Sequence, residues 1–202
     1  TLAVLNRIHG YPLPQARLVE IAAALGSDVP FFLTGGTALG LGRGEIVRPL
    51  RDLEPAPVIL LMPRLHLSTP AVYRRADAIL TPQREQTTIY RFSRQRVRGK
   101  EIIGSAPNDL QQAAAVLYPG LGRMLRQLRA TGTTAAAMSG SGSAVYGLYA
   151  GEGQAARALT SLTRTVPLRI AGEMSDRARA YDVDAWLGRT IGWAEYSAKV
   201  LS

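Results

Sequence analysis

The longest unbroken run of large aliphatic side chains lies in "PVILLMP", residues 57 to 63, closed by a proline at each end. It is far too short to cross a membrane and suits a strand buried on both faces. A strand of that kind needs other elements packed around it. The remaining sequence offers them, because helix-like and strand-like periods mix along its length without repeats or low-complexity tracts. With 47% apolar and 19% charged residues the composition is that of a folded chain. Its 202 residues are enough for one large domain or two small ones.

Residues 2 to 9 read as the end of a helix, closed by Gly10 and the turn "YPLP". A second helix should begin near Pro14, with Leu18, Ile21, Ala22 and Leu25 on its apolar face and Gly26 as a left-handed cap. "GGTALGLGRGEIVRPL", 35 to 50, predicts two strands joined at "GRGE". After the 57 to 63 strand, "STPAVYRRADAIL" predicts a helix with Thr69 as N-cap and Pro70 at its first position. Residues 84 to 100 read as a loop. Helices are expected at 109 to 118, 119 to 130 and 153 to 164, and strands at "TTAAAM", "AVYGLYA" and "VPLRI". Composition shifts after 172. There Val183, Leu187, Ile191, Ala194, Ala198 and Leu201 fit one helical face, against the presence of Gly188 and Gly192. The first residue, Thr1, falls inside a helical pattern with no cap, which predicts a beginning that is missing.

Several chemistries are closed to this chain. It has no cysteine, hence no disulfide, thiolate metal site or cysteine nucleophile. His9 and His66 are its only histidines and lie far apart, which leaves little for a zinc cluster or a Ser-His-Asp triad. No protein metal site is expected. No stretch resembles a signal peptide or a membrane span, so a cytoplasmic location is the default. The excess of 24 Lys and Arg over 15 Asp and Glu, a net charge of +9, favours anionic partners without choosing among them.

Two segments carry candidate chemistry. In "GSDVPFF", 26 to 32, Asp28 stands ahead of four residues that prefer to leave water. It is either a turn residue bending outward or a carboxylate that orients or deprotonates a hydroxyl for attack on phosphorus. "MSGSGSAVYGLY", 138 to 149, alternates serine and glycine between two apolar segments. It is either a strand-connecting turn or a nest of N–H groups suited to phosphate oxygens. No serine there has the register of a hydrolase nucleophile elbow, and the chain has no Walker loop. A third segment, the arginine-rich 84 to 100, interleaves Tyr90 and Phe92 with its cations. That is the pattern of a nucleic-acid surface or of a solvated loop.

Taken together, "LGSDVPFFLTGGTALGLGRGE", "APNDLQQAAAVLYPGL" and "AAAMSGSGSAVYGLY" resemble, in order and separation, the 4-diphosphocytidyl-2-C-methyl-D-erythritol kinases of the GHMP kinase superfamily. The resemblance covers residues 1 to 150, weakens to 170, and leaves the tail without a counterpart. It implies an α+β fold of two domains with the active cleft between them. Residues 1 to 55 would belong to the N-terminal, ATP-binding domain. Residues 56 to 170 would form a ferredoxin-like C-terminal domain, and 171 to 202 an unassigned tail of helical pattern. The implied reaction is transfer of the γ-phosphoryl of ATP, with Mg²⁺, to the 2-hydroxyl of a cytidine-diphosphate-linked sugar alcohol in the non-mevalonate isoprenoid route.

By the same resemblance Asp28 matches the catalytic aspartate, facing a hydroxyl and a phosphate in a partly dry cleft. Ser139, Gly140, Ser141, Gly142 and Ser143 match the glycine-rich turn beside the phosphates. Thr69 and Pro70 match a segment near the acceptor, and Asn108 and Asp109 a supporting signature. The family's catalytic lysine and main ATP loop have no match here, which implies that this chain alone is inactive, and less soluble or less stable than the full-length protein. The implied partner is a small molecule, not nucleic acid or membrane, and the implied state a monomer or weak homodimer. Other GHMP kinases, acting on homoserine, mevalonate or a sugar, and a non-catalytic anion- or nucleic-acid-binding fragment are the alternatives.

Overall fold

The computed structural model describes residues 1–52, 54–79, 108–166, 168–170, 183–190 and 195. Two compact units divide the chain, with Thr1–Pro55 in the first and Ala56–Thr190 forming the second.

The first unit opens with α1 (Leu2–Ile8), α2 (Gln15–Leu25) and the short α3 (Phe31–Thr34). Strands β1 (Ala38–Leu41) and β2 (Ile46–Pro49) follow as an antiparallel hairpin, Leu41 opposite Ile46, with "GRGE" as the turn. Its small core joins Leu18 and Ala22 of α2 to Leu33 of α3, with Leu2, Ala3, Val19 and Val29 packed against them. Among the described residues, the one buried polar side chain in this unit is Asn6, whose amide donates to the Leu13 carbonyl and accepts from the Leu13 N–H at 3.0 and 3.1 Å. It ties α1 to the turn before α2. The apolar stripe expected on α2 holds only in part. Ile21 is half-buried and Leu25 is 66% exposed. Gly26 has φ 166°, which is extended backbone and not the left-handed cap expected. The helix simply ends there, its last amide bond running from Gly26 to Ala22.

The second unit is built on a five-stranded sheet in the order β4-β5-β3-β7-β6. In chain order it comprises β3 (Pro57–Pro63), α4 (Thr69–Ile79), α5 (Asp109–Leu117), α6 (Pro119–Ala130), β4 (Ala135–Met138), β5 (Val145–Leu148), α7 (Glu152–Thr165), β6 (Leu168–Ile170) and β7 (Val183–Arg189). Strands β4, β5, β3 and β7 are antiparallel neighbours, with β6 parallel to β7 at the edge. Leaving out β6, the strand order in space is second, third, first, fourth, which is the ferredoxin-like β-α-β-β-α-β arrangement. The fold is α+β, as expected.

The proline-bounded run forms the central strand β3, yet it alternates instead of burying both faces. Ile59 and Leu61 are fully buried, Val58 and Leu60 are half-buried, and Met62 is 43% exposed. The two buried residues share one cluster with Leu121, Leu125 and Leu128 of α6, Ala158 and Leu162 of α7, and Val72 and Ala76 of α4. The helical expectation for the tail fails at 183 to 189. That segment is β7, paired with β3 over all seven residues from Pro57↔Arg189 to Pro63↔Val183. Val183 and Ala185 are buried while Asp184 is half-buried and Trp186 exposed, a period of two that lapses at Leu187, which is exposed although it shares their parity. The arginine-rich segment 84 to 100 lies outside the described residues.

Candidate active site

Asp28 belongs to the first unit. It sits in the turn between α2 and α3, where Val29 N–H donates to the Gly26 carbonyl at 3.2 Å. The turn carries the carboxylate outward and leaves it accessible to water. Of the apolar residues after it, Pro30 and Leu33 go inward, whereas Phe31 and Phe32 stay 38% and 60% exposed. Their rings meet edge-on, 5.7 Å apart at 70°. The two rings, Gly40, Gly44, Val47 and Asp28 line a cavity of about 270 Å³ against the hairpin. Asp28 Oδ1 lies 3.6 Å from the point a Cβ on Gly44 would occupy, so the glycine turn passes close to the acid. That turn is fixed by Glu45, whose carboxylate accepts from Arg43 N–H at 2.7 Å. Its own backbone N–H and that of Arg43 hold the Glu45 carboxyl below its ordinary pKa. Within its own unit, then, Asp28 is a wet carboxylate at the mouth of an apolar cavity, not a desolvated one.

The glycine-serine segment belongs to the second unit and forms the tight connection from β4 to β5. Ser139 N–H donates to the Ala144 carbonyl and Gly142 N–H to the Ser139 carbonyl, both at 2.9 Å. Two glycines take positive φ along the path, and at the second there is also no room for a side chain. Gly140 and Gly142 have φ of +55° and +90°, and a Cβ on Gly142 would lie 2.6 Å from Leu67 Cδ1. Ser143 reaches down to donate to the Pro63 carbonyl at 3.2 Å, fastening the turn to the end of β3. Among the described residues, the amides of Gly140, Ser141 and Ser143 have no hydrogen-bond acceptor. Such amides on a glycine-rich turn are what a nest offers an anion.

Three neighbours converge on this turn. Thr69 Oγ1 is 3.1 Å from Ser141 Oγ. Thr69 was expected to cap α4, but that place is one residue earlier. The Ser68 carbonyl accepts from the Ala71 and Val72 N–H groups, Thr69 is the first helical residue, and its hydroxyl is committed to the turn. Pro70 follows it, exposed, in the first turn of α4. Asn108 caps α5 by accepting from Leu110 N–H, while its amide nitrogen donates to the carbonyls of Met138 and Gly140 at 2.9 and 2.8 Å. Gln111 Oε1 accepts from Met138 N–H at 2.9 Å. Asp109 is exposed. Gln111 and Leu67 were not singled out from the sequence. For Gln111 a signal was present: Asn108 and Gln111 have the cap-and-third-residue spacing of a capping box, here turned toward the neighbouring strand.

Comparison with known proteins bears on both units. Residues 96–168 match the family model described as GHMP kinases C terminal, a span that takes in α5 to the start of β6 and the whole glycine-serine turn. A curated relative from Solibacter usitatus (strain Ellin6076), named 4-diphosphocytidyl-2-C-methyl-D-erythritol kinase, is 36% identical over 183 residues. That match covers 89% of this chain and 58% of the relative. A crystal structure of 4-(cytidine 5'-diphospho)-2C-methyl-D-erythritol kinase superposes with a TM-score of 0.64 at 30% identity, covering 92% of this chain and 60% of that one.

The chain has the GHMP kinase fold. It spans a little over half the length of the curated relative it matches. A homoserine kinase from Cytophaga hutchinsonii superposes with a TM-score of 0.62 at 15% identity, which shows the shared GHMP kinase fold alone. Likeness covering 92% of the chain has to run past residue 170, so part of the tail left without a counterpart belongs to the GHMP kinase framework. Asp28, Thr69 and Pro70 lie outside the matched 96–168 span. Among the described residues no group of three or more His, Cys, Asp or Glu is placed to hold a metal ion, and no helix is long and apolar enough to cross a membrane.

Proposed function

We propose that the protein transfers the γ-phosphoryl group of ATP to the 2-hydroxyl of 4-diphosphocytidyl-2-C-methyl-D-erythritol. The observation that carries this reading is the 36% identity, sustained over 183 residues, to a relative named for that kinase activity. The resemblance to homoserine kinase is one of backbone at 15% identity and supports no choice of acceptor.

In this reading Asp28 orients the acceptor hydroxyl and takes its proton, a role its place at the mouth of an apolar cavity permits. The glycine-serine turn fits a polyphosphate. It has amides without an acceptor among the described residues, and no acidic side chain among Ser139, Gly140, Ser141, Gly142 and Ser143. Bound ATP supplies the phosphoryl group, and Mg²⁺ offsets charge. The ion needs no dedicated protein cage, since phosphate oxygens with one or two carboxylates suffice. Thr69, joined to Ser141, and Pro70 form the acceptor-side wall of the turn. The reading also puts the protein in the cytoplasm, as a monomer or weak homodimer without a nucleic-acid partner.

The test is transfer of labelled phosphate from ATP, with Mg²⁺, to the cytidine-linked alcohol, homoserine and mevalonate in parallel, using the protein as its cell makes it. Only the first should accept phosphate. Asp28→Asn should lower kcat by roughly 10²- to 10⁴-fold with little loss of stability, because the carboxylate is open to water. Preference for another acceptor, or undiminished turnover in the variant, refutes the reading.

A further inference from the structure

We infer that Asn108 and Gln111 are positioning residues for the phosphate-facing amides of the glycine-serine turn, beyond their place at the start of α5. The inference rests on the reading that this turn receives phosphate.

The Asn108 side chain has its orientation fixed by three partners. Its oxygen accepts from Leu110 N–H at 3.0 Å, and its nitrogen faces two carbonyl oxygens, Met138 and Gly140. Flipping the amide would set oxygen against both carbonyls and nitrogen against an N–H donor, so only one orientation satisfies the network. Gln111, one helical turn on, accepts from Met138 N–H. Together they grip the backbone on the way into the turn at three points: Met138 N–H, Met138 C=O and Gly140 C=O.

The third point has a consequence for the anion. In a trans peptide the C=O and the following N–H point in opposite directions across one plane. The Gly140–Ser141 peptide is trans. Anchoring the Gly140 carbonyl on Asn108 therefore turns the Ser141 N–H directly away from α5, and that N–H is one of the amides with no acceptor among the described residues. Gly140, at φ +55° with no heavy atom within 4 Å of a would-be Cβ, has neither a side chain nor packing to hold that plane. Asn108 does it instead. The donor direction that pre-organisation requires is thus set from a neighbouring helix.

Capping and positioning separate in Asn108→Ser. Serine is a good N-cap, but its hydroxyl is too short to reach both carbonyls. Gln111→Leu leaves the cap untouched and removes the acceptor for Met138 N–H, while Gln111→Glu keeps an acceptor and serves as the conservative rescue. The measurement is titration with a non-hydrolysable ATP analogue and Mg²⁺, followed at the backbone amide resonances of Gly140, Ser141 and Ser143, with KM for ATP and kcat taken alongside. In the unaltered protein these three resonances should move. Asn108→Ser should weaken the analogue about tenfold, the scale of one or two lost hydrogen bonds, with the Ser141 shift reduced most. KM for ATP should rise more than kcat falls, and the midpoint of thermal unfolding should stay close to that of the unaltered protein. Gln111→Leu should act in the same direction and Gln111→Glu should restore affinity. Unchanged affinity and an unchanged Ser141 shift in both Asn108→Ser and Gln111→Leu overturn the positioning role while leaving the turn a phosphate site. Immobile turn resonances in the unaltered protein, with ATP bound elsewhere, overturn the phosphate reading and the positioning role with it.

Discussion

Replacing Gly142 by alanine tests the packing of the glycine-serine turn against the second unit. The added Cβ would lie 2.6 Å from Leu67 Cδ1 and 2.9 Å from Met138 Sδ, at a residue whose φ is +90°. The backbone conformation alone costs an L-residue about 1–2 kcal/mol. Leu67 and Met138 are both buried, and both meet the new methyl with the far end of a flexible side chain. They can shift, but only within a packed core, which adds about 1–3 kcal/mol. Stiffening the unfolded chain returns about 0.5–1 kcal/mol. The net expectation is a loss of about 1–4 kcal/mol. Gly140→Ala is the control, since its φ of +55° lies in the left-handed well and nothing stands within 4 Å of its Cβ. It should cost about 1 kcal/mol or less once the same unfolded-state gain is counted. Native-state hydrogen exchange at the Ile59 and Leu61 amides reports opening of the second unit by itself. Equal exchange free energies in the two variants would refute the steric argument, leaving only the backbone term.

Asn6→Leu strips the Leu13 N–H and C=O of their partners inside the first unit; a loss of about 2–3 kcal/mol is expected, read from exchange of the α1 and α2 amides. Leu128→Ala, at a fully buried position of α6, should cost the second unit about 2–5 kcal/mol by the same measurement. Burial raises the pKa of Tyr149, partly opposed by its 2.8 Å bond with the Thr131 hydroxyl, and burial raises that of Tyr146 as well. The unfolded chain loses these protons near pH 10 while the folded one keeps them. Stability should therefore be intact below about pH 10 and fall as pH climbs through the raised values. Tyr149→Phe should flatten part of that alkaline limb in a pH series of urea midpoints.

Local pattern carried the element map of the second unit where turn chemistry and period agreed. The helices expected at 109 to 118 and 119 to 130 lie within a residue of α5 and α6, and the structure shows Asn108 capping the first and Pro119 opening the second. The tail shows what such reading lacks. Val183, Leu187 and Ile191 satisfy a four-residue spacing, but Val183 and Ala185 satisfy a two-residue one equally well, and the choice between them is made by a partner strand far away in the chain. Strand β3 has antiparallel neighbours on both sides, and β7 supplies one of them along its whole length. Central strands need both. The helical alternative would leave the β3 edge bare, and no sequence window around 183 contains that fact.

The candidate site repeats the lesson at the scale of side chains. Asp28 and the serines and glycines of 139 to 143 stand out because their residue types are unusual for their surroundings. Gln111 does not, since a glutamine on a helix is ordinary. What makes it notable is the direction in which its oxygen is spent. In a capping box the third residue reaches back to the cap's own N–H; here Gln111 accepts from Met138 and Asn108 donates to Met138 and Gly140, so a local helix-start motif becomes a clamp on a separate turn. The spacing Asn-x-x-Gln announces a helix N-terminus whichever way it points. Only the packing of α5 against α4 and α6, which brings its first turn to the end of β4, converts the two amides into holders of the turn, and that packing is decided by the apolar face of α5, where Ala113 and Ala114 are buried in the common core. A bulky residue at Ala114, fully buried, should therefore disturb phosphate affinity as well as stability, by lifting the helix that carries both amides; Ala114→Leu with unaltered ATP binding would show that the clamp tolerates displacement and that the turn holds its own shape.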